Sequence, residues 1–141
     1  QSLRTTKQEV KGELEQEEGD PQIKARVRQI QRDRIRRKML AEVPKATVVV
    51  PNPTRYAVAL RYNPPRDAAP VVVARGQNLF AQKIAETARK HGVPVLERPA
   101  VARALYAGVK EGKAIPTALY RAVAELLAFV YERRGGGPSL S

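Results

Sequence analysis

The sequence predicts a compact α/β domain with a small, about four-stranded sheet surrounded by helices, preceded by a long basic N-terminal helix. After residue 42, short apolar runs alternate with segments of helical periodicity, which is the pattern of strands and helices packed around one core. Basic residues are concentrated before that point, since residues 21–41 hold eight Lys/Arg and one Asp/Glu. With 141 residues, 43% of them hydrophobic, the chain suits one globular domain and not two of ordinary size.

The first predicted element is the basic helix, which follows Asp20-Pro21, a typical cap and first-turn pair. Ile23, Val27 and Ile30 recur at helical spacing. Its basic side chains are Lys24, Arg26, Arg28, Arg32, Arg34, Arg36, Arg37 and Lys38. Such a helix has three interpretations: a solvated connector, a nucleic-acid arm, or a patch near anionic lipid headgroups, where each basic residue contributes about 1 kcal/mol. The pI of 10.5 favours nucleic acid, but zinc-finger spacing and an aromatic-basic RNA-binding signature are both missing from the sequence.

Four apolar runs are predicted to be strands, at residues 46–50, 56–62, 71–74 and 93–96. Residues 77–90 are predicted to form a helical crossover before the last of these strands. It ends at His91-Gly92, where the negative end of the dipole would favour a cation and glycine supplies the cap. Pro99 opens a further helix through residue 106, and Pro116 opens another. The apolar faces of these helices are assigned to the core.

Several classes of function are excluded by composition. The chain has no cysteine and one histidine, which excludes disulfides, thiol catalysis and a histidine cluster. No Gly-rich phosphate loop follows a strand, and no pair of carboxylates suggests a hydrolase. No apolar segment approaches the roughly 20 residues of a membrane helix. We therefore expect no cofactor, no metal and no conventional turnover enzyme.

The turn between the first two predicted strands, Asn52-Pro53-Thr54-Arg55, carries the one reaction that the sequence suggests. An asparagine amide can attack the carbonyl carbon of its own residue, closing a five-membered succinimide and expelling the following amine. Proline holds its own φ at about −65° and favours an extended conformation for Asn52, so a tight turn can hold the amide in a near-attack position. Asn-Pro is also an ordinary turn initiator. Asn63-Pro64 is an internal comparison in a predicted open loop.

Several motifs, in order and spacing, resemble the cytoplasmic domain of the FlhB/YscU family of flagellar and type III secretion export-switch proteins. The resemblance extends over residues 6–133. It is carried by Lys7-Gln8-Glu9-Val10-Lys11, Glu18-Gly19-Asp20-Pro21, the segment from Asn52 to Leu60, Ala69-Pro70-Val71-Val72-Val73-Ala74, Pro99-Ala100-Val101-Ala102-Arg103, Ile115-Pro116 and Leu119-Tyr120-Arg121-Ala122. The Glu-Gly-Asp-Pro segment favours the flagellar branch.

The resemblance implies self-cleavage between the Asn and Pro of an Asn-Pro-Thr-His motif, here Asn52 and Pro53, with Thr54 and Arg55 completing the site. Arg55 replaces the usual histidine. A guanidinium stays protonated and cannot accept a proton as a neutral imidazole does, but it can orient or polarise a carbonyl. We therefore expect slower cleavage than in relatives with histidine, or none.

The resemblance also implies a domain organisation and a location. Residues 1–41 connect to a preceding membrane part that the chain lacks, residues 42–134 form the globular autocleavage domain cut at 52/53, and residues 135–141 form a disordered tail. The domain is expected in the cytoplasm, attached to the bacterial inner membrane. The basic helix is then a membrane-proximal connector, near lipids, and no nucleic acid is expected.

The function implied is a switch of export specificity from rod and hook subunits to filament subunits. The expected partners are other export-gate membrane proteins, the hook-length (ruler) control protein and the exported substrates, and the two self-cleaved fragments are expected to stay associated. Two alternatives remain: an uncleaved docking module of the same apparatus, if Arg55 disables the reaction, and a basic nucleic-acid-binding domain with salt-dependent affinity.

Overall fold

The computed structural model describes residues 19–53 and 55–133. The chain divides into two units, Gln1–Arg37 and Lys38–Ser141, and each is described by itself. The predicted disordered tail, residues 135–141, lies outside the described residues, as does Thr54.

The basic helix, α1, spans Pro21–Glu42. Asp20 caps it, because its Oδ1 accepts the Gln22 N–H at 2.9 Å and its carbonyl accepts the Lys24 N–H at 3.0 Å, which confirms the predicted start. The eight basic side chains of this helix are all exposed. In the described part of the chain, no helix is both long and apolar enough to cross a membrane.

The sheet consists of β1 (Val48–Asn52), β2 (Tyr56–Arg61) and β3 (Val71–Gln77), in that spatial order and antiparallel throughout. The α/β class is confirmed, and the first two strands form a hairpin with Asn52 opposite Tyr56. The first predicted strand was placed two residues early, and the third was predicted three residues short. The turn residue Asn52 thus belongs to the end of a strand.

The prediction of a fourth strand at residues 93–96 was wrong. Within the described residues this segment makes one isolated parallel bridge, between Val95 and Val49. Pro94 has no N–H to donate to a ladder, so the parallel pairing cannot extend from Val49 toward the beginning of β1. The segment still covers the outer edge of β1, the strand that leads into the turn after Asn52.

Helices cover both faces of the sheet in the unit Lys38–Ser141. They are α2 (Asn78–Lys90), α3 (Pro99–Gly108) and α4 (Tyr120–Arg133). One face, with Val48, Val50 and Leu60, packs in a buried cluster with α3 and α4. The other face, with Val49 and Ala57, packs with α2 and the end of α1. Because both faces are buried, the strands are apolar without alternation, as the sequence shows.

One predicted helix boundary is confirmed and another is shifted. The end of α2 is confirmed: Gly92 has φ 72°, the Val93 N–H donates to the Ala88 carbonyl at 2.9 Å, and His91 Nδ1 lies 2.9 Å from the Thr87 carbonyl oxygen. The start of α4 was predicted at Pro116. The structure places a short 3-10 turn at Thr117–Leu119 first, and α4 begins at Tyr120.

The loop between β2 and β3 is held by a buried ion pair. Asp67, 7% exposed, accepts hydrogen bonds from Arg61 Nε at 3.0 Å and Nη2 at 2.9 Å. It also accepts the backbone N–H of Asn63 at 3.0 Å. The hydrogen bond from the Arg61 guanidinium lowers the pKa of the Asp67 carboxyl below its ordinary value, against the opposing effect of burial.

Candidate functional site

The β1–β2 turn places the predicted scissile bond just after the last residue of a buried strand. Asn52 ends β1, and Tyr56, opposite it, begins β2. The backbone N–H of Arg55 donates a hydrogen bond to the carbonyl oxygen of Asn52 at 2.9 Å, which closes the turn. The structure therefore brings together three of the four predicted site residues, Asn52, Pro53 and Arg55.

This hydrogen bond acts on the carbonyl that the asparagine amide would attack. A donor at 2.9 Å from that oxygen lies where negative charge develops when the carbonyl carbon becomes tetrahedral. The sequence pointed to the side chain of Arg55 as the polarising group, whereas the structure supplies the backbone N–H of the same residue. Arg55 is exposed to solvent.

Residues 94–98 hold the outer edge of β1 and so fix the strand that leads to the turn. The Val49 N–H donates to the Pro94 carbonyl at 2.9 Å, and the Val49 carbonyl accepts the Leu96 N–H at 2.9 Å. The Arg98 N–H lies 3.4 Å from the carbonyl oxygen of Pro51, the residue before Asn52. With β2 on its other side, β1 is hydrogen-bonded along both edges.

An aromatic stack fixes the other arm of the turn. The ring of Tyr56 stacks on Tyr106 of α3, with centroids 4.5 Å apart. Arg75 of β3 lies over the Tyr106 ring at 4.9 Å, donates to the Tyr106 carbonyl at 2.6 Å and pairs with Glu111 at 3.3 Å. These contacts were missed by the sequence analysis, since nothing in one sequence pairs residues so far apart.

A further contact that sequence reasoning missed comes from Asn78, the first residue of α2. Its backbone N–H donates to the carbonyl oxygen of Arg55 at 2.9 Å, and its φ of 56° lies in the left-handed region. The sequence signal was an asparagine near the start of the predicted helix 77–90, a residue type that tolerates this conformation.

An open groove of about 370 Å³ adjoins the turn. Asn52, Pro53 and Arg55 line it together with Gln82 and Glu86 of α2. A change in the turn would therefore alter an accessible concave surface. Among residues 19–53 and 55–133, no group of three or more histidine, aspartate or glutamate residues could hold a metal ion.

The comparison dipeptide Asn63-Pro64 lies in a different environment. Asn63 is exposed, and both its backbone groups bond to Asp67, the carbonyl oxygen accepting the Asp67 N–H at 3.1 Å. The Asp67 carboxylate thus lies beside the Asn63 backbone. Because this carboxylate is paired with Arg61, and the Asn63 carbonyl also accepts an amide N–H, the two Asn-Pro pairs differ chiefly in their setting. Asn63 lies in an exposed loop after β2, whereas Asn52 lies in a hairpin turn between two paired strands, so bond scission is expected at Asn52.

Comparisons with known proteins show which proteins this chain is similar to. The model of the family described as "FlhB HrpN YscU SpaS Family" matches residues 1–130. The flagellar biosynthetic protein FlhB of Yersinia enterocolitica is 50% identical over 139 residues, which cover 96% of this chain and 36% of that protein. FlhB of Escherichia coli K12 is 50% identical over 130 residues, covering 92% and 34%. The chain spans about a third of the length of these relatives.

Solved structures show the same fold. The cytoplasmic domain of FlhB from Shewanella putrefaciens matches with a TM-score of 0.66 at 44% identity, covering 69% of this chain and 80% of that one. The C-terminal domain of EscU carrying an asparagine-to-alanine substitution matches with a TM-score of 0.63 at 29% identity, covering 65% and 92%.

Proposed function

We propose a function for this chain, which belongs to the FlhB HrpN YscU SpaS family. It is the cytoplasmic part of a flagellar export-apparatus protein, and it cleaves itself between Asn52 and Pro53. The observation that carries this proposal is the position of Asn52 in a closed hairpin turn between two paired strands, where its carbonyl oxygen accepts the Arg55 N–H. The curated relatives named above are flagellar proteins, which supports the flagellar branch.

The proposed reaction is an intramolecular substitution at the Asn52 carbonyl carbon. The Asn52 side-chain nitrogen forms a bond to that carbon, and the carbonyl oxygen takes up negative charge facing the Arg55 N–H. The bond between Asn52 and Pro53 then breaks, and the proton lost by the attacking nitrogen passes through solvent to the proline nitrogen. The products are residues 1–52 ending in a cyclic imide, which water opens, and residues 53–141 beginning with a secondary amine.

The fold explains how scission can alter the turn while the core persists. In β1, Val48, Val49 and Val50 are fully buried, and the strand is paired on both sides by residues of the second fragment. Strand burial and hydrogen bonds therefore hold fragment 1–52 in place after the bond is cut. The turn alone is released, and it gains a new carboxyl and a new amine beside the groove.

This release provides the switch in our proposal. A partner that binds the turn and its groove would distinguish the intact loop from the two charged ends. We assign to this surface a role in changing export from rod and hook subunits to filament subunits, with the export gate, the ruler protein and the exported subunits as partners. The domain would face the cytoplasm, with residues 1–41 linking it to a part in the inner membrane.

Intact-mass spectrometry of the purified chain tests the reaction. Under denaturing conditions we expect fragments 1–52 and 53–141, whose masses together equal the intact mass, or exceed it by one water once the imide opens. Under native conditions we expect a single species containing both fragments. A chain that stays whole after long incubation would reject self-cleavage and favour the uncleaved docking module.

Replacing Arg55 by histidine is expected to accelerate cleavage. A neutral imidazole can accept and return the proton that moves from the attacking nitrogen to the leaving proline, which a guanidinium cannot do. The rate of the Arg55→His variant should rise with pH around the ordinary histidine pKa of about 6.5. Arg55→Lys is the control, since it keeps the positive charge, and equal rates for all three proteins would contradict the prediction.

A further inference from the structure

We infer that Asn78 is a positioning residue for self-cleavage, which aims the Arg55 N–H at the scissile carbonyl from outside the hairpin. This inference rests on the proposed function and deepens it. It makes the chemistry of the turn depend on the junction between β3 and α2, which is remote from the turn in sequence.

Arg55 is held by two backbone hydrogen bonds, one on each side of its α-carbon. Its N–H donates to the Asn52 carbonyl at 2.9 Å, and its own carbonyl accepts the Asn78 N–H at 2.9 Å. The second bond restrains the peptide plane that follows Arg55. Rotation of the residue away from Asn52 would therefore break both bonds, so the Asn78 N–H keeps the first donor in place.

The position of the Asn78 N–H is set by rigid surroundings. The preceding residue, Gln77, is paired with Tyr56 in the β2–β3 ladder. The following helix α2 is packed on the sheet through Ile84 and Ala88, both fully buried. The chain passes from strand to helix at one residue, and a φ of 56° at Asn78 accomplishes this change of direction.

The residue type matters because the left-handed region is open mainly to glycine and asparagine. Glycine adopts it without steric strain, and asparagine adopts it more readily than other residues with a side chain. A β-branched residue is a conformational outlier at this φ. Valine at position 78 would strain the junction, shift its N–H and loosen Arg55, whereas glycine would preserve the junction.

The positioning role of Asn78 is tested by comparing the cleavage rates of Asn78→Val, Asn78→Gly and the unchanged chain by intact-mass spectrometry. We expect Asn78→Val to cleave about tenfold or more slowly, and Asn78→Gly to stay within about threefold of the unchanged chain. Leu79→Ala is the matched control, because Leu79 is adjacent and 80% exposed, and its cleavage rate should not change.

Amide hydrogen exchange in the Asn52→Ala background gives a second measurement that requires no cleavage. The Arg55 amide should lose protection in Asn78→Val and keep it in Asn78→Gly. Should Asn78→Val fail to fold, Asn78→Ala takes its place in both assays. Equal cleavage rates and equal Arg55 protection in all variants would overturn the inference while leaving self-cleavage intact. A chain that never cleaves would instead reject the proposed function, and the exchange data would still decide the role of Asn78.

Discussion

The Asn52→Ala variant is expected to remain a single chain for as long as it is incubated. The substitution removes the attacking nitrogen, and no other group of this residue can close the five-membered ring. The turn itself should persist, because its closing hydrogen bond joins the backbone N–H of Arg55 to the backbone carbonyl of residue 52. Denaturing mass spectrometry alongside the unchanged protein measures the loss, which we expect to be complete.

Two controls separate this result from general damage. Asn63→Ala should leave cleavage at 52/53 unchanged, because the second Asn-Pro pair takes no part. Asn52→Ala should still unfold in urea as one cooperative transition, which shows that the substitution leaves the fold intact. Persistence of the same break in Asn52→Ala would show that a contaminating protease, and not the asparagine amide, cuts the chain.

Replacement of Asp67 by alanine is expected to lower the free energy of unfolding by about 3 kcal/mol, since it leaves the guanidinium of a mostly buried arginine without its bidentate partner. The Arg61 and Asp67 side chains are 17% and 5% exposed, and their closest atoms are 2.9 Å apart. The Asn63 N–H loses its acceptor as well. Urea denaturation at neutral pH measures the change, with the substitution made in the Asn52→Ala background so that an uncut chain unfolds.

The stabilisation by Asp67 should depend on pH in a defined direction. Its pKa is lowered in the folded protein, so the folded state binds the proton less readily than the unfolded chain. The contribution is therefore fully present above the unfolded pKa and is lost as pH falls through the lower, folded pKa. In the Asn52→Ala background, the difference in unfolding free energy between the chains with Asp67 and with Asp67→Ala should shrink in acid.

The matched control for Asp67 is Asp33, which pairs with Arg36 at 3.9 Å while their side chains remain 43% and 47% exposed. Because water screens this pair, Asp33→Ala should change the free energy of unfolding by less than about 0.5 kcal/mol. Equal effects of the two substitutions would contradict the importance assigned to the buried pair.

The dipeptide of the proposed cleavage could be named from the sequence because the chemistry proposed for it is local. In the proposed reaction Asn52 carries both the attacking nitrogen and the attacked carbonyl, and Pro53 supplies the leaving group, so all the reacting atoms lie in two adjacent residues. The two strands around the turn were also predictable from short stretches of sequence. Their residues form apolar runs because both faces of the sheet are buried.

The support of the turn was not predictable, because it comes from residues far away along the chain. The Asn78 N–H, the Tyr106 ring and the backbone of residues 94–98 reach the hairpin only through the packing of α2 and α3. The incorrect fourth strand has a different, local origin. An apolar run at 93–96 has the composition of a strand, but Pro94 lacks the donor that a ladder requires.

If the chain is cut as proposed, the covering of β1 by residues 94–98 should also protect the nicked molecule against aggregation. Val49 uses both of its outward backbone groups on this segment, and Pro51 has no N–H to leave open, while its carbonyl faces the Arg98 N–H. Strands that present unpaired N–H and C=O groups recruit strands from other molecules. Between residues 49 and 51 the broken chain offers no such template, so a cell could keep the severed form for long periods without edge-to-edge polymerisation at this strand.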